Sequence, residues 1–524
     1  MTYSEEFDDV VLLLVSNNYS ITEATKMTCD YFNVGYNDSI RRRCSALVNS
    51  KKEDVTEEEL IDEVFEASKS KEFDKSKKRF IISWCQSDTK IHEQFMDNIE
   101  SYANKIDASI HIILGRYKNP TSLDVSNKMK SEEKSVSYNW DKRVVKYADS
   151  NRHNIHKYLC VASDLKIQPT ASTPLSGLNS LTGIESCIVG HPRVHMKSLP
   201  VLDGYPSKLV MSTGSVSLEN YTDTKAGKKG EFHHTLGFVI VELDGDIFHT
   251  RQVQCSEDGS FYDLCFLVDN GEVCIHSGAE AVVFGDLHLG ETSDEALGAS
   301  FKMCELVDCK EVILHDAYNG HSISHHEKRN PFILMQREKD GSNCLKKELS
   351  ELVSFFEEYQ DYNFTLVRSN HDEWLDRWLK ESDWRKEGNR EVYLTLANLM
   401  ALNPVNNGAL DLFLKDVGVE NAHCLNINDS YIVGDFELAI HGHVGANGSR
   451  GGIVQFKNMN TKTITGHSHS PAREDGAIVV GTLTHLRVSY NSGASSWMNS
   501  NAIIYPNGKA SNVHIVNGRF TTLV

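Results

Sequence analysis

The sequence of 524 residues lacks the patterns that mark several classes of protein. Its 12 cysteines show no Cys-x-x-Cys spacing and several lie in apolar stretches, which argues against a zinc ribbon or a disulfide framework. No apolar run approaches the roughly 18 residues of a membrane span, and the acidic first residues do not form a signal peptide. Internal repeats and low-complexity tracts are also missing. We therefore expect a cytoplasmic protein with reduced thiols and no membrane span.

The charge balance excludes one further class. The chain has 54 Lys and Arg against 73 Asp and Glu, a net charge of −19. Such a chain is a poor candidate for a nonspecific nucleic-acid coating protein, whose affinity comes from neutralising phosphates. A nuclease is not excluded, because carboxylates that bind metal ions count as negative although the ions offset them.

The length and a change of composition predict three domains, since a chain of this length exceeds a single core. Residues 1–68 are predicted to form a helical, helix-turn-helix-like domain with an acidic linker, because Glu53–Glu66 is dominated by acidic side chains. Residues 69–275 are predicted to form an α/β middle domain, and residues 276–524 a strand-rich domain with helices between its strands. The predicted fold class is therefore mixed α/β, of the α+β kind.

The first domain is predicted to contain three short helices between residues 4 and 50. Ser20 can cap the second helix, with Glu23 completing a capping box. The third helix, capped by Asn37 or Asp38, is basic and stands in the position that reads a DNA groove in a helix-turn-helix. The alternative is a small helical bundle for protein contacts. The predicted DNA contacts are Arg41, Arg42 and Arg43.

The middle domain begins with a strand, a helix and a strand, at Phe80–Trp84, Ile91–Ile106 and Ser109–Leu114. This order predicts a parallel pair with a right-handed crossover. No Gly-x-Gly-x-x-Gly follows the first strand, so a dinucleotide cofactor is not indicated. The polar stretch Thr222–His234 is predicted to be a loop, which either contacts a phosphate backbone or is a solvated hairpin loop.

The last domain carries a series of polar motifs, each directly after a predicted strand. Asp, Asn and His at the carboxyl ends of strands lie where open α/β sheets place their active sites. Ligands two residues apart in an extended segment project in one direction and can chelate one ion. The motifs are Gly285-Asp286-Leu287-His288, His315-Asp316, Ser369-Asn370-His371-Asp372, His441-Gly442-His443 and Gly466-His467-Ser468-His469.

In this order, Asp-x-His, Asp, Asn-His-Asp, His and Gly-His-x-His resemble the calcineurin-like metallophosphoesterases. The resemblance implies a β-sandwich flanked by helices over 276–524, with a two-metal centre. It further implies that His371 is the general acid on the leaving oxygen and that Asp372 orients it. The implied ligands are Asp286, His288 and His469 for one ion, Asn370, His441 and His467 for the other, and Asp316 as the bridge. His443 is expected to support the site without binding an ion.

The donors and the resemblance together predict the cofactor. Mixed carboxylate, amide and imidazole donors suit Mn²⁺, Fe²⁺ or Zn²⁺ better than Mg²⁺ or Ca²⁺. Two such ions roughly 4 Å apart clamp the attacking and leaving oxygens of a phosphoester displacement. We expect two divalent metal ions, with Mn²⁺ favoured and Fe²⁺, Zn²⁺ or Mg²⁺ as alternatives.

The chain departs from the family pattern at the second motif. The usual Gly-Asp-x-x-Asp-Arg has Asn319 in place of its second Asp, and the Arg is absent. Substrate contacts must then come from elsewhere, and His321 is one candidate. Arg450, in the glycine-rich stretch Gly445–Gly452, is another, with an ordinary flexible turn as the alternative.

The whole chain is also similar to the large pre-early DNA-transfer and DNA-degrading proteins of tequintavirus-like bacteriophages. This resemblance implies a deoxyribonuclease that degrades host DNA early in infection, in the cytoplasm of the infected bacterium, and is linked to phage DNA transfer. DNA is then the expected partner, with self-association and other phage early proteins as further expectations. The stretches that carry the resemblance are Gly115–Pro120, Gly190–Pro192, Asn220–Asp223, Lys225–Lys229 and Tyr490–Trp497.

The motifs alone leave two alternatives to a deoxyribonuclease. The first is a phosphomonoesterase or small-molecule phosphodiesterase with the same centre, because the surrounding loops set the size of the substrate. The second is a non-catalytic DNA-binding or scaffold protein. Elsewhere in this domain we expect helices near 293–307, 344–360 and 391–402, and three tryptophans in the core, namely Trp374, Trp378 and Trp384.

Overall fold

The computed structural model describes residues 5–16, 19–52, 73–74, 76–116, 140–276, 278–327, 330–405, 407–459, 461–488 and 491–523. The chain divides into two compact units. The first comprises residues 1–70 with 136–139, and the second the rest of the chain. The acidic stretch Glu53–Glu66 lies outside the described residues.

The first unit contains the three predicted helices, α1 (Glu5–Ser16), α2 (Ile21–Tyr31) and α3 (Asp38–Lys52). The predicted capping box is confirmed, because the Ser20 hydroxyl accepts from Glu23 N while the Glu23 carboxylate accepts from Ser20 N. Asn37 caps α3, its Oδ1 accepting from Ile40 N at 3.0 Å. A small apolar core joins the helices, formed by Phe7, Val11, Cys29, Ile40, Cys44 and Val48.

The three arginines of α3 have different environments. Arg43 Nη2 lies 2.7 Å from Asp8 Oδ2, so this side chain ties α3 to α1. Arg41 Nε lies 3.6 Å from Asp38 Oδ1, and Arg42 is exposed. The contact of this helix with DNA stays a prediction, and the ion pair with Asp8 makes Arg43 the least available of the three.

The second unit is built from strands and helices in alternation. Its strands are β1 (Arg79–Cys85), β2 (Ala108–Leu114), β3 (Ala148–Asp149), β4 (Arg152–His156), β5 (Leu159–Ala162), β6 (Ser186–Val189), β7 (His195–Leu199), β8 (Lys208–Ser212), β9 (Gly237–Asp244), β10 (Ile247–Gln254), β11 (Phe261–Asp263), β12 (Phe266–Asp269), β13 (Glu272–Ile275), β14 (Ala281–Val283), β15 (Glu311–His315), β16 (Asn363–Val367), β17 (Ala422–Cys424), β18 (Ile432–Val433), β19 (Phe436–Glu437), β20 (Lys462–Thr465), β21 (Ala472–Glu474), β22 (Ala477–Val479), β23 (Ser500–Ile504) and β24 (Ala510–His514). Its helices are α4 (Glu93–Lys105), α5 (Lys225–Phe232), α6 (Asp294–Leu306), α7 (Pro331–Asp340), α8 (Leu345–Glu358), α9 (Asn370–Glu381), α10 (Arg390–Leu402), α11 (Ala409–Asp416) and α12 (Ile453–Phe456), with 3₁₀ turns at 142–147, 178–180, 321–323 and 446–448.

The first predicted strand pair is confirmed. β1 and β2 are parallel, α4 connects them, and they form the centre of a five-stranded sheet of order β10-β9-β1-β2-β3. The alternation of side chains along β1 explains its apolar run. Ile81 packs on α4, whereas Phe80 and Ile82 pack on the opposite layer. A strand that is buried on both faces carries apolar residues at successive positions.

Two larger sheets position the predicted motifs. A six-stranded sheet has the order β17-β16-β15-β14-β23-β24, and a ten-stranded sheet the order β18-β19-β20-β22-β21-β7-β8-β6-β5-β4. One half of the ten-stranded sheet packs on the five-stranded sheet and the other half on the six-stranded sheet. The predicted division into 69–275 and 276–524 stays a prediction; strands from both stretches share the ten-stranded sheet.

Helices cover the outer face of the six-stranded sheet. In β14, Val282 faces these helices, while Ala281 and Val283 face the ten-stranded sheet. The stripe that α8 buries follows helical spacing, as expected for an amphipathic helix packed on a sheet. Its members are Leu345, Leu349, Leu352 and Phe356. The predicted mixed α/β fold class of the α+β kind is confirmed, and helices α6, α8 and α10 lie where the sequence places them. Among the described residues, no helix is both long and apolar enough to cross a membrane.

Two predictions about local structure are wrong. The polar stretch Thr222–His234 contains the helix α5 instead of a loop. Its glycines disfavour a helix, but Gly227 packs so closely that an added Cβ would lie 2.0 Å from Thr222 O, and the Thr224 hydroxyl caps the helix start. Trp384 is 46% exposed and so is not part of the core, whereas Trp378 is buried as predicted.

A buried charge cluster fastens the five-stranded sheet. The Arg251 guanidinium donates to both carboxylate oxygens of Asp263, at 2.6 and 2.8 Å, and also to Glu242. Tyr102 donates to Asp263 at 2.6 Å. Both carboxylates are fully buried, so the positive charge of Arg251 is needed to offset their negative charges.

We expect Arg251→Met to lower the free energy of unfolding by about 3–5 kcal/mol, because it leaves two buried carboxylates without a cation. Urea unfolding followed by fluorescence measures this loss. The matched control is Arg519→Met, which removes a half-exposed ion pair with Asp244 and should cost less than about 1 kcal/mol. Equal losses in the two variants would contradict the role given to Arg251.

Candidate metal centre

The residues of the predicted motifs meet at one edge of the two facing sheets. β14, β15 and β16 are parallel in the six-stranded sheet, and β19 and β20 are parallel in the ten-stranded sheet. Carboxyl ends of parallel strands lie at the same edge, so the segments that follow them converge. These segments carry Asp286 and His288 after β14, Asp316 after β15, Asn370 after β16, His441 after β19, and His467 and His469 after β20.

A first group of ligand atoms belongs to Asp286, His288, Asp316 and His469, all within 4.8 Å of one another and all buried. His469 Nε2 lies 2.9 Å from Asp286 Oδ2, and His288 Nε2 lies 3.5 Å from Asp316 Oδ2. The structure therefore brings together the three side chains predicted for one ion and the predicted bridge.

A second group consists of Asp316, His441 and His467. His441 Nε2 lies 3.1 Å from Asp316 Oδ2 and 3.1 Å from Asn370 Oδ1, which adds the predicted amide to this group. Asp316 is thus common to both groups. This is the position that a carboxylate bridging two ions must occupy.

The donor set fits a pair of divalent ions. Asp286 Oδ1 and Asp316 Oδ1 are buried and have no hydrogen-bond partner among the described residues, which costs free energy unless a cation offsets it. The Nε2 atoms of His288 and His469 face each other at 3.1 Å, as two imidazoles on one ion do. The cluster could therefore bind metal ions, and its mixed donors suit the first-row transition metals.

Four of these residues have a left-handed backbone. The φ angles are 45° at His288, 45° at Asp316, 71° at His467 and 57° at His469. Side chains other than glycine adopt this region uncommonly, at a cost of about 1–3 kcal/mol each. Such strain persists where the surrounding structure imposes it, and here it turns each ligand toward the same point.

Gly466 makes the approach of the fifth motif to the first possible. A Cβ at this position would lie 2.1 Å from Asp286 Oδ1. The absent side chain allows His467 N to donate to Asp286 Oδ2 at 2.8 Å. The glycine of the Gly-His-x-His motif therefore allows the segment after β20 to contact the segment after β14 closely.

The electrostatics of the cluster suit cation binding. Burial raises the pKa of Asp286, but the hydrogen bond from His469 and neighbouring imidazoles outweigh it and lower the pKa to about 2. Burial lowers the pKa of His288 to about 3. Burial also lowers the pKa of His441, but Asp316 above all outweighs it and raises the pKa to about 9. At neutral pH Asp286 is ionised and His288 is neutral, as metal ligation requires, whereas His441 must lose its proton to bind an ion.

His371 stands at the rim of the cluster. Its Nδ1 donates to the backbone carbonyl of Asn319, its ring stacks on Trp374 with centroids 3.9 Å apart, and it lies 4.6 Å from the His288 ring. The orienting role of Asp372 stays a prediction. Its Oδ2 accepts from Ser369 N at 2.9 Å in the capping box of α9, and the hydrogen bond that the structure gives to the His371 ring is the one with the Asn319 carbonyl.

Two further histidines lie behind the ligands. His315 Nδ1 is 3.4 Å from His441 Nδ1, a contact that the sequence did not indicate. His443 lies outside both ligand groups, with its Nε2 3.6 Å from Glu373 Oε2.

The cluster opens into a cavity of about 590 Å³. His321 and Arg450, the predicted substrate contacts, both line it. Trp374 lines it as well, so its predicted place in the core is wrong. Trp497 also lines it, with its ring 4.1 Å from that of His469. Sequence reasoning missed this residue; its only signal is a lone tryptophan in a serine-rich stretch.

The fold and this cluster define a mixed α/β protein with a buried His/Asp site that could hold metal ions. Protein A1 of Escherichia phage T5 is 30% identical to this chain over 470 residues, which cover 85% of this chain and 83% of Protein A1. The chain belongs to the family of this phage protein, which confirms the predicted bacteriophage kinship.

No family model matches the chain. Among solved structures, Vps29 of Chaetomium thermophilum, in complex with a RaPID-derived cyclic peptide, is 12% identical and covers 35% of this chain and 91% of its own, with a TM-score of 0.19. A similarity this low carries no argument about the fold. Membership of the calcineurin-like metallophosphoesterases therefore stays a prediction.

We expect Asp316→Ala to abolish binding of both ions, because this side chain belongs to both ligand groups. Elemental analysis of protein dialysed against Mn²⁺ measures the stoichiometry, with two ions expected in the unsubstituted chain. His469→Ala touches the first group alone and should retain one ion. Two retained ions in Asp316→Ala would contradict the shared role.

Gly466→Ala should weaken metal binding without replacing any ligand, since the new methyl group must displace the Asp286 carboxylate. The measurement is Mn²⁺ titration by calorimetry, with far-ultraviolet circular dichroism to confirm the fold. Gly388→Ala is the matched control, because a Cβ there meets no atom within 4 Å. Unchanged affinity in Gly466→Ala would show that the close approach is not needed.

Proposed function

We propose that this protein is a two-metal-dependent phosphodiesterase that degrades DNA, most specifically a phage deoxyribonuclease acting on host DNA early in infection. The observation that carries the proposal is the place of Asp316 in both ligand groups. A shared carboxylate suits two adjacent ions, which when bound activate water and stabilise the attacking and leaving oxygens of a phosphoester displacement.

The ligand residues have distinct roles in this proposal. Asp286, His288 and His469 would hold one ion and Asn370, His441 and His467 the other, with Asp316 shared by both groups. Mixed donors suit Mn²⁺, Fe²⁺ or Zn²⁺, and Mn²⁺ is favoured among them partly from the resemblance to the calcineurin-like metallophosphoesterases. Five of the ligand side chains are buried, and burial would strengthen the electrostatic effect of bound ions on a phosphate. They are Asp286, His288, Asp316, His441 and His469.

His371 is proposed as the general acid. With Nδ1 bound to the Asn319 carbonyl, Nε2 is the ring atom left for the substrate. The stacked Trp374 indole holds the ring in place, so that a proton at Nε2 can be donated to the departing oxygen.

The walls of the cavity support a nucleic-acid substrate. Trp374 stacks on the ring of His371 and Trp497 lies against the ring of His469. Aromatic side chains are common stacking partners for unpaired bases. Arg450 and His321 add donors for phosphate oxygens. The phage kinship supports DNA as the partner and the infected bacterial cytoplasm as the place of action. Linkage to phage DNA transfer, self-association and DNA contacts by Arg41, Arg42 and Arg43 belong to the same proposal.

A small phosphoester is the second candidate substrate. The cavity volume of about 590 Å³ is within the range of small-molecule sites. One hydrolysis assay with Mn²⁺ distinguishes the two candidate substrates. It compares the cleavage of linear and circular DNA with that of bis(p-nitrophenyl) phosphate. Hydrolysis of the small ester with intact DNA would overturn the deoxyribonuclease proposal and favour the second candidate.

His371→Ala should lower kcat on DNA by about 10²–10⁴, the usual contribution of a general acid. Metal content should stay unchanged, because His371 is not a ligand. The readout is release of labelled oligonucleotide under single-turnover conditions. His423→Ala, which removes an exposed histidine on β17, is the control and should retain full activity. Full activity in His371→Ala would assign proton transfer to another group.

A further inference from the structure

A second cavity, of about 800 Å³, lies at the other end of β20 from the metal centre. Lys462, which begins β20, lines it, whereas His467 follows the far end of the same strand. Along an extended chain these two residues are about 17 Å apart at roughly 3.3 Å per residue. The cavity is therefore separate from the catalytic one.

Arg473 lines this cavity and is a buried cation without a carboxylate. It is 2% exposed, and its guanidinium donates to the Ala510 carbonyl at 2.9 Å and to the Gln254 side chain. No carboxylate among the described residues lies within ion-pairing distance of it, and its Nε has no hydrogen-bond partner there. A buried charge paired only with neutral groups is costly.

Lys509 adds a second unpaired cation to the same wall. It has no ion-pair partner among the described residues. Burial is the main cause that lowers the pKa of Lys509, and the positive charges of Lys462 and Arg473 lower it further. Lys462 itself is paired with Asp435 at 2.7 Å. The positive charge that remains in the cavity wall therefore comes from Arg473 and Lys509.

Burial lowers the pKa of both cations and two carboxylates oppose it, Asp475 at Arg473 and Asp435 at Lys509, but each carboxylate is paired with other groups. Asp475 lies 3.2 Å from Arg193 Nη1, 3.0 Å from His195 Nε2 and 3.3 Å from His233 Nδ1. Glu219 and Glu257 line the cavity but are exposed to solvent at its mouth. Glu231, which also lines the cavity, is paired with Lys228. Arg473 and Lys509 thus have no ion-pair partner among the described residues, in a chain whose net charge is −19.

An exposed aromatic ring also lines the cavity. Phe232, at the end of α5, lines the cavity and is 83% exposed. An exposed ring beside a cationic wall suits a ligand that has both a flat ring and an anion. We propose that this cavity binds the phosphate of a nucleotide, with Arg473 and Lys509 as its partners and the base against Phe232.

Fluorescence-based titration of the full chain in the presence of a chelator tests this, because binding is then measured without catalysis or metal ions. Two probes distinguish the source of the phosphate, deoxyadenosine 5′-monophosphate and a short single-stranded oligonucleotide. Lys509→Gln should weaken binding of at least one probe about tenfold or more, the effect of losing one charged hydrogen bond. Arg473→Gln should weaken it as well.

Lys415→Gln is the matched control, a lysine lost from an exposed helix position, and should bind as the unsubstituted chain does. Because Lys509 is only partly buried, its variant remains informative if Arg473→Gln fails to fold. Loss of the mononucleotide alone or of both probes supports a free nucleotide, and loss of the oligonucleotide alone supports a DNA strand. No binding by the unsubstituted chain at millimolar probe, unchanged binding in Lys509→Gln, or binding lost only in Asp316→Ala would overturn the proposal. A negative result leaves the metal centre and its activity on DNA as a separate question.

Discussion

The contact of one carboxylate with imidazoles from two sheets is the constraint on which the centre depends. Asp316 directly follows strand β15 of the six-stranded sheet, and its Oδ2 lies 3.5 Å from His288 Nε2 and 3.1 Å from His441 Nε2. His441 comes from the ten-stranded sheet. Facing sheets pack roughly 10 Å apart, a spacing that their side chains set. The apolar layer between the sheets, which includes Val283, Ile313, Ile464 and Ile478, therefore determines whether the ligands can share ions.

The centre is a strained and charged part of an otherwise well-packed unit. Left-handed backbone at His288, Asp316, His467 and His469 and a tight approach at Gly466 all cost free energy. The dense core on both faces of the six-stranded sheet offsets these costs. In the absence of a metal ion, the raised pKa of His441 lets a proton provide part of the missing positive charge. Folding and metal affinity are in this way coupled through the same side chains.

Two buried arginines differ in whether a carboxylate neutralises their charge, and we assign them different roles for this reason. Arg251 lies between two carboxylates and fastens the five-stranded sheet. Arg473 is equally buried but has only neutral hydrogen-bond partners. The charge of Arg251 is offset by carboxylates within the protein, whereas the charge of Arg473 remains available to the proposed ligand. The chemistry of the two side chains is identical, and only their neighbours distinguish them.

The sequence by itself determined the identity and order of the metal-ligand motifs and the alternation of strands and helices, because side-chain chemistry and apolar periodicity are local properties. It also determined the parallel pair β1 and β2 and the helices α6, α8 and α10. Only the tertiary structure decided that strands far apart in the chain share one ten-stranded sheet, that the Asn319 carbonyl orients His371, and that Trp374 and Trp497 line the cavity. The formation of helix α5 also depends on the tertiary structure, because burial of its glycines outweighs their low helix propensity. These features depend on contacts between distant segments, which no local pattern of residues records.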